Sequence, residues 1–342
     1  MKTLLENKQL PELKSREEML DILQSQVYGY LPEKPVQLQF EVVQKSTVSN
    51  FCAGNAQCSQ MRAICTLSGG KIFSFPFQVT LPTDGEKHPF FIMISFLGEN
   101  PNKYLPTEEL IDAGFAVLHF DYRDVAADSK VFSTGLPGVI FDGKVREGSD
   151  PGKLALWAWA AHRVMDYAQT RDDVLDLSRS CVCGHSRLGK TALLAAATDP
   201  RFAFAYSNDC GCMGAAISRG KDGETTEKIY NHFPYWFCPN FAQWTGKEEE
   251  MPFDQHYLLA CIAPRKVLIG SASQDLWADP VAEQLCVMAA APAFGTTLDF
   301  EKPAEIGEAF LSQNPGYHLR KGAHYFSRHD WHRLIEFIRL HG

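Results

Sequence analysis

The sequence Gly184-His-Ser186-Arg-Leu-Gly189-Lys190 decides the fold class of this chain. A short apolar run that predicts a buried strand, Cys181 to Gly184, precedes Ser186, and an Ala-rich run that predicts a helix, Arg187 to Thr198, follows it. A serine on a tight turn between a strand and a helix is the arrangement of a nucleophile elbow. The small residue Gly184 lets such a turn close, and the first helical amides then face the point where negative charge develops.

This elbow departs from the usual G-x-S-x-G pattern. Leu188 stands where the second glycine is expected, and Gly189 follows it. The strand–turn–helix context favours a nucleophile at Ser186, and the alternative is an ordinary turn with a surface serine.

Strand and helix patterns alternate on both sides of the elbow. Predicted strands cover residues 90–97, 115–120, 181–184, 202–207, 267–271 and 317–320. Predicted helices cover residues 107–113, 151–169, 187–198, 280–291 and 330–340, with Asp150 and Asp279 as expected N-caps. Such alternation implies a mostly parallel sheet with helices on both faces, which is a three-layer α/β fold.

Two segments depart from this alternation. Residues 1–82 begin with a predicted helix over 15–28, which Ser15 and Glu18 start as a capping box, and continue as a predicted antiparallel meander over 36–81. Residues 210–251 are irregular and rich in aromatic side chains, which favours a lid or binding loop over the cleft or an insertion that packs on the body. We expect one domain over 1–342 that includes both segments.

Length and composition exclude several classes of protein. The 342 residues carry a formal net charge of −8 and 45% hydrophobic residues, as in soluble globular proteins rather than disordered or fibrous chains. The acidic balance offers no basic face to a nucleic acid. No apolar run approaches the ~18 residues that a membrane helix needs, and residues 1–8 lack the apolar core of a secretory signal. We therefore expect a cytoplasmic protein without a membrane partner.

The ten cysteines predict reduced thiols rather than a metal site. The pairs Cys181-Val-Cys183 and Cys210-Gly-Cys212 have C-x-C spacing, not the C-x-x-C spacing common in zinc sites. No metal and no cofactor are predicted.

A serine nucleophile requires a base and a residue that orients the base. His324 lies in the loop between the last predicted strand and the last predicted helix, where the base of such a fold lies. Asp275 and Asp209 each follow a predicted strand, and either carboxylate could accept the imidazole N–H. Both remain alternatives on the sequence alone.

The elbow and four further stretches resemble the glucuronoyl esterases, which are carbohydrate esterases that cleave the 4-O-methyl-glucuronoyl ester joining xylan to lignin. The four stretches are Asn208 to Gly220, Phe233 to Phe241, Asp275 to Pro280 and Gly322 to Tyr325. The resemblance covers roughly residues 90 to 342 and implies an α/β-hydrolase fold.

The resemblance also implies roles for individual residues. Ser186 would be the nucleophile and His324 the base. Asp209 matches a position where many members carry a catalytic glutamate, and an aspartate there has a shorter reach to His324. Asp275 matches a second acid position, used by other members. Arg187 would stabilise the oxyanion with its guanidinium and its backbone N–H.

Three further residues are implied or expected at the substrate. Lys190 and Trp277 would contact the uronic acid ring, and Trp236 of the aromatic insertion is a further candidate contact. The predicted function is serine-dependent hydrolysis of a small or oligosaccharide ester, in the first place a uronic acid ester, through an acyl-enzyme. The alternatives are a carbohydrate O-acetyl esterase or small-ester carboxylesterase, and a non-catalytic carbohydrate-binding relative.

Overall fold

In the computed structural model, which describes residues 1–46 and 50–342, ten strands form one sheet in the order β1-β2-β3-β5-β4-β6-β7-β8-β10-β9. The strands are β1 (Gln37–Ser46), β2 (Ala56–Thr66), β3 (Ile72–Pro82), β4 (His88–Ser95), β5 (Ala116–Asp121), β6 (Leu175–His185), β7 (Phe204–Asn208), β8 (Lys266–Ala272), β9 (Ala309–Phe310) and β10 (Gly316–Arg320).

The α-helices are α1 (Lys2–Glu6), α2 (Arg16–Leu23), α3 (Thr107–Asp112), α4 (Tyr122–Val125), α5 (Gly135–Phe141), α6 (Lys153–Gln169), α7 (Arg187–Thr198), α8 (Thr226–His232), α9 (His256–Ala260), α10 (Pro280–Ala290) and α11 (Arg328–His341). None of the helices in the described part of the chain combines the length and the hydropathy that a membrane span requires.

The sheet divides into a parallel and an antiparallel part. Strands β4, β5, β6, β7, β8 and β10 pair in parallel. Strands β1, β2 and β3 form an antiparallel meander that joins β5. The mostly parallel sheet with N-terminal antiparallel strands is confirmed, although residues 47–49 of the predicted meander lie outside the described residues.

Helices pack on both faces of the parallel strands. Phe91 and Met93 of β4 belong to a buried cluster that includes α11, whereas Phe90 and Ile92 belong to a second cluster that includes α6 and α7. Successive side chains of a strand point to opposite faces, so β4 is buried on both sides. This arrangement confirms the three-layer α/β architecture.

Three details of the helices differ from or refine the predictions. Asp150 does not cap α6, because its carboxylate accepts the Glu147 amide and Gly152 takes the N-cap position without a side-chain bond. Asp279 does cap α10, by accepting the Ala282 amide at 3.0 Å. The predicted helix 15–28 is α2 followed by a π-helical turn, Gln24–Tyr28.

The segment 210–251 contains one helix, α8, and three short 3₁₀ turns: Pro234–Trp236, Pro239–Trp244 and Glu248–Glu250. Its aromatic side chains pack mostly inward, since Tyr235, Trp236, Phe237 and Phe241 are all buried. The packing interpretation therefore fits most of these aromatics.

Candidate active site

Ser186 lies on a strained turn between β6 and α7. Its backbone has φ 58° and ψ −128°, a conformation that is costly for a residue with a Cβ. The turn is held because the Ser186 amide donates to the Asn208 carbonyl at 2.8 Å. A Cβ at Gly184 would lie 2.2 Å from the Leu188 carbonyl oxygen, so only glycine fits there. A Cβ at Gly189 would lie 2.5 Å from the Ser207 hydroxyl, which explains the displaced second glycine.

The carboxyl ends of four neighbouring strands carry the other candidate catalytic residues. Ser186 follows β6, Asp209 follows β7, Asp275 follows β8 by three residues, and His324 follows β10 by four. Carboxyl ends of parallel strands meet at one edge of a sheet, which is where open α/β folds bind ligands.

His324 bonds to Asp275. Its Nδ1 lies 2.6 Å from Asp275 Oδ2. A neutral imidazole that donates from Nδ1 to a carboxylate keeps Nε2 free to accept a proton. Burial opposes ionisation of Asp275, but the hydrogen bond and charge of His324 hold the pKa of Asp275 below its usual value.

Asp209 has other partners. Its Oδ2 accepts from Arg320 Nη2 at 2.9 Å and from the Tyr325 amide at 3.2 Å. The residue is 1% exposed, and its Oδ1 has no hydrogen-bond partner among the residues that the structure describes. Burial, followed by the negative charge of Glu283, raises the pKa of Asp209 well above its usual range, although Arg320 opposes the shift.

Arg187 is the first residue of α7, and aromatic rings surround its guanidinium. Its Nη1 pairs with Asp128 Oδ2, and its guanidinium carbon lies 4.9 Å from the Trp236 ring centroid and 5.6 Å from that of Phe233. The Arg187 side chain remains 26% exposed. The Asp128 carboxylate offsets part of the guanidinium charge, and the first amides of α7 beside it favour an anion at this point.

The three expected substrate contacts have different placements. Lys190 is 4% exposed because the turn after β7 covers it, and its ammonium donates to the Cys210 carbonyl. This placement does not support a contact with a sugar. Trp236 is 3% exposed, and its indole N–H donates to Asp128 at 2.7 Å. It therefore packs around Arg187 instead of facing a substrate. Trp277 is 51% exposed, with the Lys228 ammonium 5.2 Å from its ring centroid, and is available to a ligand.

His185 is a further residue of the site that the sequence reasoning did not assign. Its ring centroid lies 4.4 Å from that of His324, and its Nδ1 lies 2.7 Å from Asn208 Oδ1. Burial, followed by the charge of His324, lowers the pKa of His185 to about 3, so this ring stays neutral beside the base. Its place directly before Ser186 is the one sequence signal that could have found it.

The side chains of Asp209, Asp275 and His324 could also hold a metal ion. Their ligand-type atoms lie within 4.8 Å of one another. His324 Nδ1 and Asp275 Oδ2 are already hydrogen-bonded to each other. The three side chains therefore support acid–base chemistry in preference to metal binding.

A family model described as "Glucuronyl esterase, fungi" matches residues 64–297 of the chain. Carbohydrate esterase MZ0003 from an unknown prokaryotic organism is 41% identical over 240 residues, which are 68% of this chain and 55% of the relative. A 4-O-methyl-glucuronoyl methylesterase of Podospora anserina is 28% identical over 79% of this chain and 53% of its own length. The chain thus spans about half the length of these relatives.

Solved structures agree over more of the chain. A glucuronoyl esterase from Solibacter usitatus matches with a TM-score of 0.86 and 29% identity, covering 96% of this chain and 92% of that chain. A promiscuous CE15 esterase from a marine bacterial metagenome matches with a TM-score of 0.85 and 31% identity, covering 96% and 91%. The likeness confirms the α/β-hydrolase fold, and together with the match over residues 64–297 it shows that the chain belongs to the glucuronyl esterase family.

Proposed function

We propose that this protein is a serine-dependent carboxylic ester hydrolase that acts on carbohydrate esters, in the first place esters of a 4-O-methyl-glucuronoyl group. The observation that carries the proposal is the 2.6 Å contact between His324 Nδ1 and Asp275 Oδ2 at the same sheet edge as the strained Ser186. A nucleophile on an elbow, an imidazole and an orienting carboxylate are the parts that acyl transfer requires.

The first half-reaction forms an acyl-enzyme. His324 Nε2 takes the Ser186 hydroxyl proton while Oγ attacks the ester carbonyl carbon. The carbonyl oxygen becomes an oxyanion, which the first amides of α7 and the Arg187 guanidinium stabilise. The tetrahedral intermediate then collapses, the carbon–alkoxy bond breaks, and His324 returns the proton to the leaving alcohol.

The second half-reaction uses water. His324 takes a proton from water, whose oxygen attacks the acyl carbon. The bond to Ser186 Oγ breaks, the proton returns to Oγ, and the uronic acid leaves. Asp275 keeps the imidazole in the required tautomer and stabilises the imidazolium in both steps.

The names of the relatives support a uronic acid ester as substrate, since one is a 4-O-methyl-glucuronoyl methylesterase and another a glucuronoyl esterase. The exposed indole of Trp277, two residues after Asp275, offers a flat apolar surface of the kind on which a sugar ring stacks. A broader ester hydrolase, including a carbohydrate O-acetyl esterase, is the second candidate. The promiscuous relative at 31% identity favours it, because the same triad serves either ester.

The experiment compares benzyl glucuronate with an acetylated xylo-oligosaccharide, using the wild type and Ser186→Ala. Cleavage of the uronate ester that is lost in Ser186→Ala supports the proposal. Deacetylation alone would keep the triad and replace the substrate class by the second candidate. If neither ester is cleaved and a fluorophosphonate fails to label Ser186 in folded wild-type protein, the enzyme proposal is wrong and the carbohydrate-binding alternative replaces it.

A further inference from the structure

The loop that carries His324 wraps around a buried guanidinium. Residues 321–325, here called the His324 loop, connect β10 to the segment before α11 and contain neither helix nor strand. The last residue of β10 is Arg320, whose side chain points back into this loop and is 6% exposed. The base of the proposed reaction therefore lies on irregular chain, and contacts other than the regular hydrogen bonds of a helix or strand must fix it.

We propose that Arg320 is a positioning residue that holds the His324 loop on Asp275, and that Asp209 acts in catalysis only as an anchor of this loop. The inference rests on the proposed ester hydrolysis, because His324 is the base in that reaction. It assigns to Asp209 a role different from that of an acid that touches His324.

The first support is the set of backbone carbonyls to which the guanidinium donates hydrogen bonds. Arg320 Nη1 donates to the Lys321 carbonyl at 3.4 Å, and Nη2 donates to those of Ala323 at 3.1 Å and Tyr325. These carbonyls lie on both sides of His324 in the chain. One planar group with five N–H donors can satisfy such a set, whereas an ammonium has three donors and no fixed fork.

The second support is the pair of carboxylates that fix the guanidinium itself. Asp330 Oδ2, in the first turn of α11, accepts from Arg320 Nε at 2.7 Å. Asp209 Oδ2 accepts from Nη2 at 2.9 Å and from the Tyr325 amide at 3.2 Å. Asp209 thus contacts the His324 loop twice, once through Arg320 and once through the backbone.

The third support is the backbone conformation of the loop at Gly322, next to the guanidinium, and the hydrogen bonds of the loop to the residues before Asp275. Gly322 has φ +121°, and a Cβ there would lie 3.1 Å from Arg320 Nη1. The Gly322 carbonyl accepts the Gln274 amide at 2.9 Å, and the Arg320 carbonyl accepts the Ser273 amide at 2.9 Å. The backbone that precedes Asp275 is therefore bonded to the loop that Arg320 organises.

An anchor of this kind needs an acceptor, not a charge. An asparagine Oδ1 at position 209 can accept from both Arg320 and the Tyr325 amide, whereas alanine leaves the buried Tyr325 amide without its acceptor and removes one acceptor of Arg320 Nη2. An acid that orients His324 directly would instead require the carboxylate, so the two roles give opposite results for Asp209→Asn.

The test measures kcat and KM for the ester that the wild type cleaves, together with the rate of fluorophosphonate labelling of Ser186. Arg320→Met is expected to lower kcat about 100-fold, the effect of a misplacement near 1 Å, with KM within about threefold because substrate contacts remain. Asp209→Ala is expected to lower kcat about 10-fold or more by the same displacement, and Asp209→Asn to stay within about threefold because it keeps the acceptor. Arg328→Met removes an exposed ion pair with Glu109 beside the same loop and is the matched control, expected at wild-type kcat.

The proton NMR signal of the His324–Asp275 hydrogen bond is the readout that general destabilisation would not move. It is expected to be lost in Arg320→Met and retained in Asp209→Asn, at a temperature where both are folded by circular dichroism. If Arg320→Met fails to fold, Arg320→Lys and the two Asp209 variants decide the matter, with Arg320→Lys expected to lower kcat at unchanged charge.

A wild-type kcat in Arg320→Lys, or an Asp209→Asn as damaged as Asp209→Ala, would overturn the inference. Absence of labelling in the wild type would instead overturn the proposed function, so the two failures are distinguishable.

Discussion

Asp209 and Asp275 follow adjacent strands, β7 and β8, and both are buried, Asp209 the more deeply, yet their surroundings differ. Asp275 faces the imidazole of His324, which is 44% exposed. Asp209 faces the guanidinium of Arg320, which is 6% exposed, and has the carboxylates of Glu283 and Asp330 nearby. The pKa of Asp275 is held below its usual value and that of Asp209 is raised well above it.

The difference shows that position at the sheet edge does not by itself assign a catalytic acid. The role of each aspartate depends on its partner, which is His324 for Asp275 and Arg320 for Asp209. In the proposed reaction His324 gains a proton, so the carboxylate that touches it would take part in charge development. Arg320 does not exchange a proton in the proposed reaction, so we expect the carboxylate that touches it to act by holding the loop in place.

The largest expected effect is that of Asp275→Asn. An amide cannot select the required imidazole tautomer or stabilise the imidazolium, and in a serine protease triad the corresponding change costs ~10⁴ in kcat. We expect a loss of about 1,000- to 10,000-fold here, measured as kcat with the ester that the wild type cleaves. Asp209→Asn serves as the matched control, because it makes the same chemical change on the neighbouring strand. Equal losses in the two variants would remove the distinction between the aspartates.

A smaller effect is expected from moving the acid between the two positions. Asp209, Asp275 and His324 already have ligand-type atoms within 4.8 Å of one another. A glutamate at position 209 is longer by one methylene and can therefore approach Nδ1 of His324. We expect the double variant Asp275→Asn/Asp209→Glu to recover kcat about 10-fold over Asp275→Asn alone, because it restores a carboxylate partner to the imidazole.

The control for this rescue is Asp275→Asn/Asp209→Gln, which has the same length without the charge. Rescue by the glutamine variant as well would show that packing, not a carboxylate, restores the rate.

The elbow could be predicted from the sequence because its determinants are local. A short apolar strand, Gly184, Ser186 and an Ala-rich helix are adjacent in the chain, and helix α7 has the predicted bounds, Arg187–Thr198. The order of the strands along the chain likewise placed Asp209, Asp275 and His324 at one edge. The layered α/β architecture could be predicted because strand and helix patterns alternate along the sequence.

The partners of the two aspartates could not be predicted, because they depend on residues that are far apart in the chain. Asp209 and Arg320 are separated by 111 residues, and His324 and Asp275 by 49. The burial of Lys190 under the turn at Cys210 has the same origin, since a lysine on an elbow helix looks exposed in the sequence. Burial by distant parts of the chain, which no local pattern shows, determines which of the expected side chains are accessible in the structure.

An effect on stability instead of turnover is expected at the link between the two acid-bearing loops. Glu283 of α10 is fully buried, and its carboxylate accepts the Gly211 amide at 2.8 Å and the Ser271 hydroxyl. Gly211 follows Asp209 and Ser271 precedes Asp275, so Glu283 joins the two regions. Burial raises the pKa of Glu283 from 4.5 to about 7. Between these pH values the folded state holds a proton that the unfolded state releases, so this group's contribution to stability falls as pH rises from 4.5 to 7.

Glu283→Gln lacks this titration in both states. The free energy of unfolding of Glu283→Gln relative to wild type is therefore expected to rise with pH across that window, by on the order of 1–3 kcal/mol, and to level off above it. Urea unfolding at a series of pH values measures the difference. Glu249→Gln, whose side chain is 72% exposed, is the control and should give a flat difference. A relative stability of Glu283→Gln that falls as pH rises would mean that the ionised carboxylate strengthens the link between the loops, because its two hydrogen bonds would then outweigh the cost of its burial.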